Sequence, residues 1–187
     1  PYHERFVSFL KKAQSHNLIV GAGMTDPKGD RSKRPSNQSD PDLFMHVTRR
    51  TKEGLYVKGA KAHMTGGLNS HWICVMPTMN MLEADKDYAV IGMVPATAPG
   101  LTYVYGRQSC DTRALEPGDI DKGNAKYGGQ ETLVIFDDVF IPWAHVLMDG
   151  EYEFAQALVS RFTAYHRASY VCKTGLGDVM IGAASSI

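Results

Sequence analysis

From residue 44 onward the chain repeats one pattern, a short apolar or β-branched run closed by turn-forming residues, and this repetition limits the fold more than any other feature. The runs cover residues 44–47, 55–62, 72–76, 88–94, 101–105 and 132–136, and Lys52, Glu53 and Gly54 form a turn between the first two. An earlier run, residues 18–23, is apolar and carries Gly21 and Gly23 at its end, as a buried strand does where it passes into a loop. About seven short strands of this kind predict a small antiparallel barrel or sandwich.

Helices flank this β region. Phe6, Phe9, Leu10 and Ala13 fall at helical spacing among Glu4, Arg5, Lys11 and Lys12, so residues 2–17 read as an amphipathic helix that Asn17 helps to end. After Pro142 and Trp143 the character changes, and residues 153–167 and 177–184 read as helical. Between the first strand and the β repeat, residues 24–42 form a polar stretch with Pro27, Pro35 and Pro41. A structureless loop of that length inside a compact unit is uncommon and is usually functional.

Composition narrows the function classes. The 187 residues carry twenty basic and twenty acidic side chains without a basic cluster, which argues against a nucleic-acid partner. No apolar run is long enough to cross a bilayer. Cys74, Cys110 and Cys172 are odd in number and widely spaced, which fits a reducing cytoplasm better than a disulfide framework. The chain opens on Pro1 directly into a helical pattern and stops inside a weakly polar run, so it is expected to be a piece of a longer protein.

Reactive side chains gather near the C-terminal end, where His166, Tyr170, Cys172 and Lys173 lie within one short segment. Imidazole and thiolate are ligands for zinc or an iron–sulfur cluster, and the phenol and amine can move protons or hold an anionic oxygen. The plainer reading is packing plus solvent contact. Thr25, Lys28, Gly29, Asp30 and Arg31 offer a hydroxyl, backbone N–H groups and cations suited to an anionic cofactor, although the same composition makes ordinary loops. Thr65 leaves a strand toward Gly66 and Gly67, and Glu131 enters an apolar strand after Gly128 and Gly129. A turn residue and a salt-bridged carboxylate are their plainer readings, while burial would raise a glutamate's pKa and suit it to proton transfer.

Four motifs, residues 24–31, 59–66, 105–111 and 165–173, taken in this order, closely resemble the 4-hydroxyphenylacetate 3-hydroxylase family of flavoproteins, and within it the CoA-thioester dehydratase branch. The resemblance implies a mainly β fold with flanking helices: the end of an N-terminal helical domain at 1–17, an acyl-CoA dehydrogenase-like middle β-barrel domain at 18–148, and the start of a C-terminal helical domain at 149–187. It implies FAD held by Thr25, Lys28, Gly29, Asp30, Arg31 and Thr65, with Thr65 near the flavin N5. It implies a 4Fe-4S cluster with His166 and Cys172 as ligands, the other cysteines lying upstream of this chain, so the isolated piece is expected to be inactive. The implied reaction is loss of water from 4-hydroxybutyryl-CoA to give crotonyl-CoA, with a shift of the vinylacetyl-CoA double bond as a related activity. His166, Glu131, Tyr170 and Lys173 are its implied catalytic residues. A CoA-thioester substrate and a homo-oligomer, a tetramer, come with the same resemblance.

One departure stands out. The family pattern places six residues between the ligand histidine and cysteine, whereas five separate His166 from Cys172, and Val171 stands where a Gly-Gly pair is expected. On a regular helix a spacing of seven returns to nearly the same face, and a spacing of six is displaced by about a third of a turn. The backbone is then locally irregular or the cluster site is altered. An aromatic hydroxylase using reduced flavin, and a non-catalytic β-barrel assembly module, are the competing readings.

Overall fold

The structure, a computed structural model, describes residues 1–105, 131–166 and 170–186, with 162–166 and 170–173 described by backbone only. Among the described residues, eight strands form two four-stranded sheets, and three α-helices lie at the chain ends.

Helix α1 (Tyr2–Ser15) ends as its sequence suggests. Asn17 takes a left-handed conformation (φ 51°), the Leu18 N–H reaches back to the Ala13 carbonyl at 2.9 Å, and the Asn17 N–H reaches Gln14 at 3.3 Å. This is the Schellman arrangement, which satisfies carbonyls that a helix end leaves unpaired. The helix buries Phe9, whose ring meets Trp72 edge-on at 5.2 Å, and this contact lays α1 against the first sheet.

That first sheet has the order β1 (Val20–Gly23), β4 (Trp72–Val75), β5 (Val90–Pro95) and β8 (Val146–Asp149). The second has the order β2 (His46–Arg50), β3 (Gly54–Thr65), β7 (Glu131–Pro142) and β6 (Leu101–Tyr105). One core joins them: Leu55, Val57, Val134 and Phe136 of the second sheet pack in the same cluster as Ile73, Val75, Val90 and Val94 of the first. The β expectation therefore resolves as two packed sheets between end helices.

Two features differ from the sequence expectation. The first sheet is mixed, because β1 pairs with β4 in parallel. After β1 the chain runs through the long loop, β2 and β3 before it re-enters the first sheet, so β4 can join the β1 edge in the same direction. β8, too short to stand out beside Pro142 and Trp143, is the other; it turns Val146 and Met148 inward and pairs with β5. The last helices, α2 (Ala155–His166) and α3 (Tyr170–Ser185), follow a short 3₁₀ turn at Tyr152–Phe154.

Candidate functional site

Strands β3 and β7 bring two of the sequence-selected residues together. Thr65 ends β3, Glu131 opens β7, and the two are partners in the antiparallel register. The Thr65 hydroxyl donates to Glu131 Oε1 at 2.5 Å, and both residues are exposed. A hydroxyl has one proton, so this Thr65 faces any further partner with its lone pairs. The next residue, Gly66, is left-handed (φ 68°), and a Cβ there would meet nothing within 4 Å, so open space adjoins the pair.

The polar loop reaches the same strand through its backbone. Ala62 N–H of β3 donates to the Thr25 carbonyl at 2.7 Å. Beyond it, Lys28, Gly29, Asp30 and Arg31 are all exposed. Gly29 has φ 49°, and a side chain there would run into Gln38 Oε1 at 2.6 Å and Leu43 at 2.8 Å. Glycine is needed at that turn for both reasons. Asp30 serves the loop itself: its carboxylate accepts from the Ser32 N–H at 3.0 Å and the Ser32 hydroxyl at 2.7 Å, and Lys33 stands at 3.5 Å. The Ser32 bonds hold its carboxyl below the usual range. Gln38 closes the turn by accepting from the Asp30 N–H and donating to the Asp30 and Lys33 carbonyls.

Two buried carboxylates, neither singled out from the sequence, tie this loop to the body. Asp26 is 4% exposed and meets Lys61 Nζ at 2.6 Å. Burial pushes the Asp26 carboxyl up and the Lys61 ammonium down, and their contact opposes both shifts. Asp85 is fully buried and accepts from the Ser36 hydroxyl at 2.6 Å, the Ser36 N–H at 3.1 Å and the Leu82 N–H at 3.0 Å, with Arg34 at 3.7 Å. Burial alone would raise its pKa; these bonds and Arg34 outweigh burial and hold it below the usual range. Strand alternation carried a signal for Lys61, since Leu55, Val57 and Gly59 occupy the same inward set. A lysine in such a set requires a buried partner.

The other sequence-selected residues occupy the last helices. His166 closes α2, while Tyr170, Cys172 and Lys173 lie in the first turn of α3; their side chains lie outside the described residues, as does Cys110. No cluster of three metal-binding side chains occurs among the described residues. Cys74 is a free thiol that burial pushes up to about 11, so it is inert at neutral pH. An apolar cleft of about 660 Å³, lined by Tyr2, Ile91, Leu147, Met148, Phe154 and Leu158 among others, includes none of Thr65, Glu131 or the loop. Volume and polar chemistry therefore sit in different places, and the hydroxyl–carboxylate pair joining β3 to β7 is the better candidate for reaction. For a flavin, the exposed loop turn, the open space at Gly66 and the lone pairs of Thr65, which can accept from a flavin N–H, are a fitting donor and acceptor set.

A two-sheet body carrying an anchored polar loop defines the class, and the chain belongs to the 4-hydroxyphenylacetate 3-hydroxylase family, whose N-terminal region matches residues 1–148. It is 55% identical over 186 residues, 98% of its length, to 4-hydroxybutyryl-CoA dehydratase/vinylacetyl-CoA-Δ-isomerase of Clostridium aminobutyricum. Among solved structures it resembles the oxygen-tolerant archaeal 4-hydroxybutyryl-CoA dehydratase of N. maritimus, with TM-score 0.84 and 64% identity over 99% of the chain. The oxygenase component of 4-hydroxyphenylacetate 3-monooxygenase, complexed with FAD and 4-hydroxyphenylacetate, matches 85% of the chain and 33% of its own with TM-score 0.68 and 26% identity. The chain spans 38% of the Clostridium protein and 37% of the archaeal one. No helix among the described residues is long and apolar enough to cross a membrane.

Proposed function

We propose that this chain is the middle part of a hydro-lyase that removes water from 4-hydroxybutyryl-CoA to give crotonyl-CoA and shifts the double bond of vinylacetyl-CoA. One observation carries the choice over an aromatic hydroxylase: identity to the two dehydratases is 55% and 64%, against 26% to the hydroxylase oxygenase component.

The chemistry is hard because the α-hydrogen is acidified by the thioester and the β-hydrogen is not. FAD, when bound, would take up the electron that cleavage of such a C–H bond requires to be removed and give it back before the product leaves, because loss of water is redox-neutral overall. Thr25, Lys28, Gly29, Asp30, Arg31 and Thr65 would hold it, Lys28 and Arg31 through their cations, Asp30 by shaping the turn and Thr65 at the ring edge. The Thr65 hydroxyl bond to Glu131 Oε1 fixes the carboxylate that would relay a proton. His166 takes the α-proton as base, and Tyr170 and Lys173 position or protonate the departing oxygen. His166 and Cys172 would be this chain's ligands to a 4Fe-4S cluster, whose other ligands come from outside it. The substrate partner is a CoA thioester, the assembly a homotetramer in the cytoplasm, and no nucleic acid takes part.

Anaerobic purification of the full-length protein, followed by flavin and iron assays and turnover of 4-hydroxybutyryl-CoA, tests the reading. Flavin with about four irons and crotonyl-CoA formation is the expected result. Flavin without iron would turn the assignment to the hydroxylase, and neither cofactor would leave an assembly module.

A further inference from the structure

Residues 24–26 and Met76 converge on one buried ammonium of β3. Lys61, 2% exposed at an inward position of β3, directs its three N–H donors to Asp26 Oδ1 at 2.6 Å, the Met24 carbonyl at 3.2 Å and the Met76 carbonyl at 2.9 Å. Asp26 accepts in addition from the backbone of Met45, where the loop returns toward β2. On either side, the Met76 N–H bonds the Gly23 carbonyl at the end of β1, and the Ala62 N–H bonds the Thr25 carbonyl. Every donor of the ammonium is used, a full complement for a lysine.

A buried ion pair is a poor device for stability, since apolar residues of equal volume usually do as well. What the pair offers instead is direction. An apolar pair would fill the space, but only a charged donor with fixed bonds makes two carbonyls and a carboxylate turn inward together. The consequence falls on the exposed turn, which begins at Lys28, two residues beyond Asp26.

We propose that Lys61, through its ion pair with Asp26, is a positioning residue that holds residues 24–31 in the shape that receives the flavin. This rests on the reading of that segment as the flavin-holding one. Pre-organisation of a binding loop appears in affinity because the free loop need not be ordered again for each ligand.

FAD titration of the full-length protein, purified without oxygen, separates positioning from mere support. Lys61→Met should weaken FAD binding roughly tenfold or more. The double variant Asp26→Leu with Lys61→Met should recover most of the melting temperature lost in Lys61→Met, yet keep the weak binding and an altered flavin circular-dichroism band. Asp26→Asn, which preserves shape and removes charge, should fall between them. A double variant that binds FAD as the wild type does would overturn the proposal and leave the flavin reading intact. If the wild type itself holds no FAD, the flavin reading falls, and hydrogen exchange then decides the rest: faster exchange at residues 24–31 in the double variant upholds positioning by Lys61, and unchanged exchange removes it.

Discussion

The polar loop of residues 24–42 and helix α3 invert the usual relation between composition and burial. The loop is rich in proline and charge, yet it is fastened by two buried carboxylates, a buried lysine and the Gln38 side chain. Helix α3 is apolar, yet Leu176, Val179, Met180 and Ile181 are each 60–68% exposed. A polar segment becomes ordered when every buried polar group finds a partner, whereas an apolar helix needs a surface to lie on. In this chain the specific bonds are at the loop, and the apolar driving force of α3 is unspent among the described residues.

The largest expected effect breaks the loop side. Lys61→Met leaves Asp26 buried without its cation and should cost about 3–5 kcal/mol, read as a shifted denaturant midpoint, with the double apolar variant restoring most of it. Next is Gly59→Ala. Gly59 has φ 116°, and a Cβ there would strike the Phe44 carbonyl and Met45, where the loop exits. A loss of about 3 kcal/mol is expected, and a wild-type melting temperature would refute the steric account.

Ser36→Ala removes two roles of one residue only in part: the N–H bond to Asp85 stays and the hydroxyl bond goes, which should cost about 1–2 kcal/mol. The same carboxylate sets a pH dependence. Its folded pKa is depressed, so its contribution is fully present above the unfolded value of about 3.9 and is lost as pH falls through the lower, folded value. Acid titration of the melting temperature should therefore be shallower in Ser36→Ala than in the wild type. The smallest effect belongs to α3. Val179→Glu and Ile181→Glu in this chain alone should change stability by no more than about 0.5 kcal/mol, and a larger loss would mean that α3 already packs against the body.

Much of the β body was legible in sequence because period-two alternation and turn residues are local. Residues 101–105 read as a strand and form β6, and Asn17 ends α1 as expected. β8 was not legible, since four residues after Trp143 carry too short a pattern, and the parallel β1–β4 pair was not, since strand direction depends on the path between them. For the candidate site, Thr65 and Glu131 were chosen separately, and their register contact links residues far apart in sequence. Asp26 was hidden among ordinary loop residues, although Lys61 at an inward position was a visible warning.

Local pattern was enough for the flanking helices, most of the strands and the motifs that mark the family, because these depend on neighbours along the chain. Packing in three dimensions was needed to show that Lys61 and Asp26 share a buried site, that Asp85 holds the loop at Ser36, and that Thr65 gives its proton to Glu131. Those are contacts between distant segments, and a charge or hydroxyl finds its partner only after the core has packed and removed the water that would otherwise satisfy it.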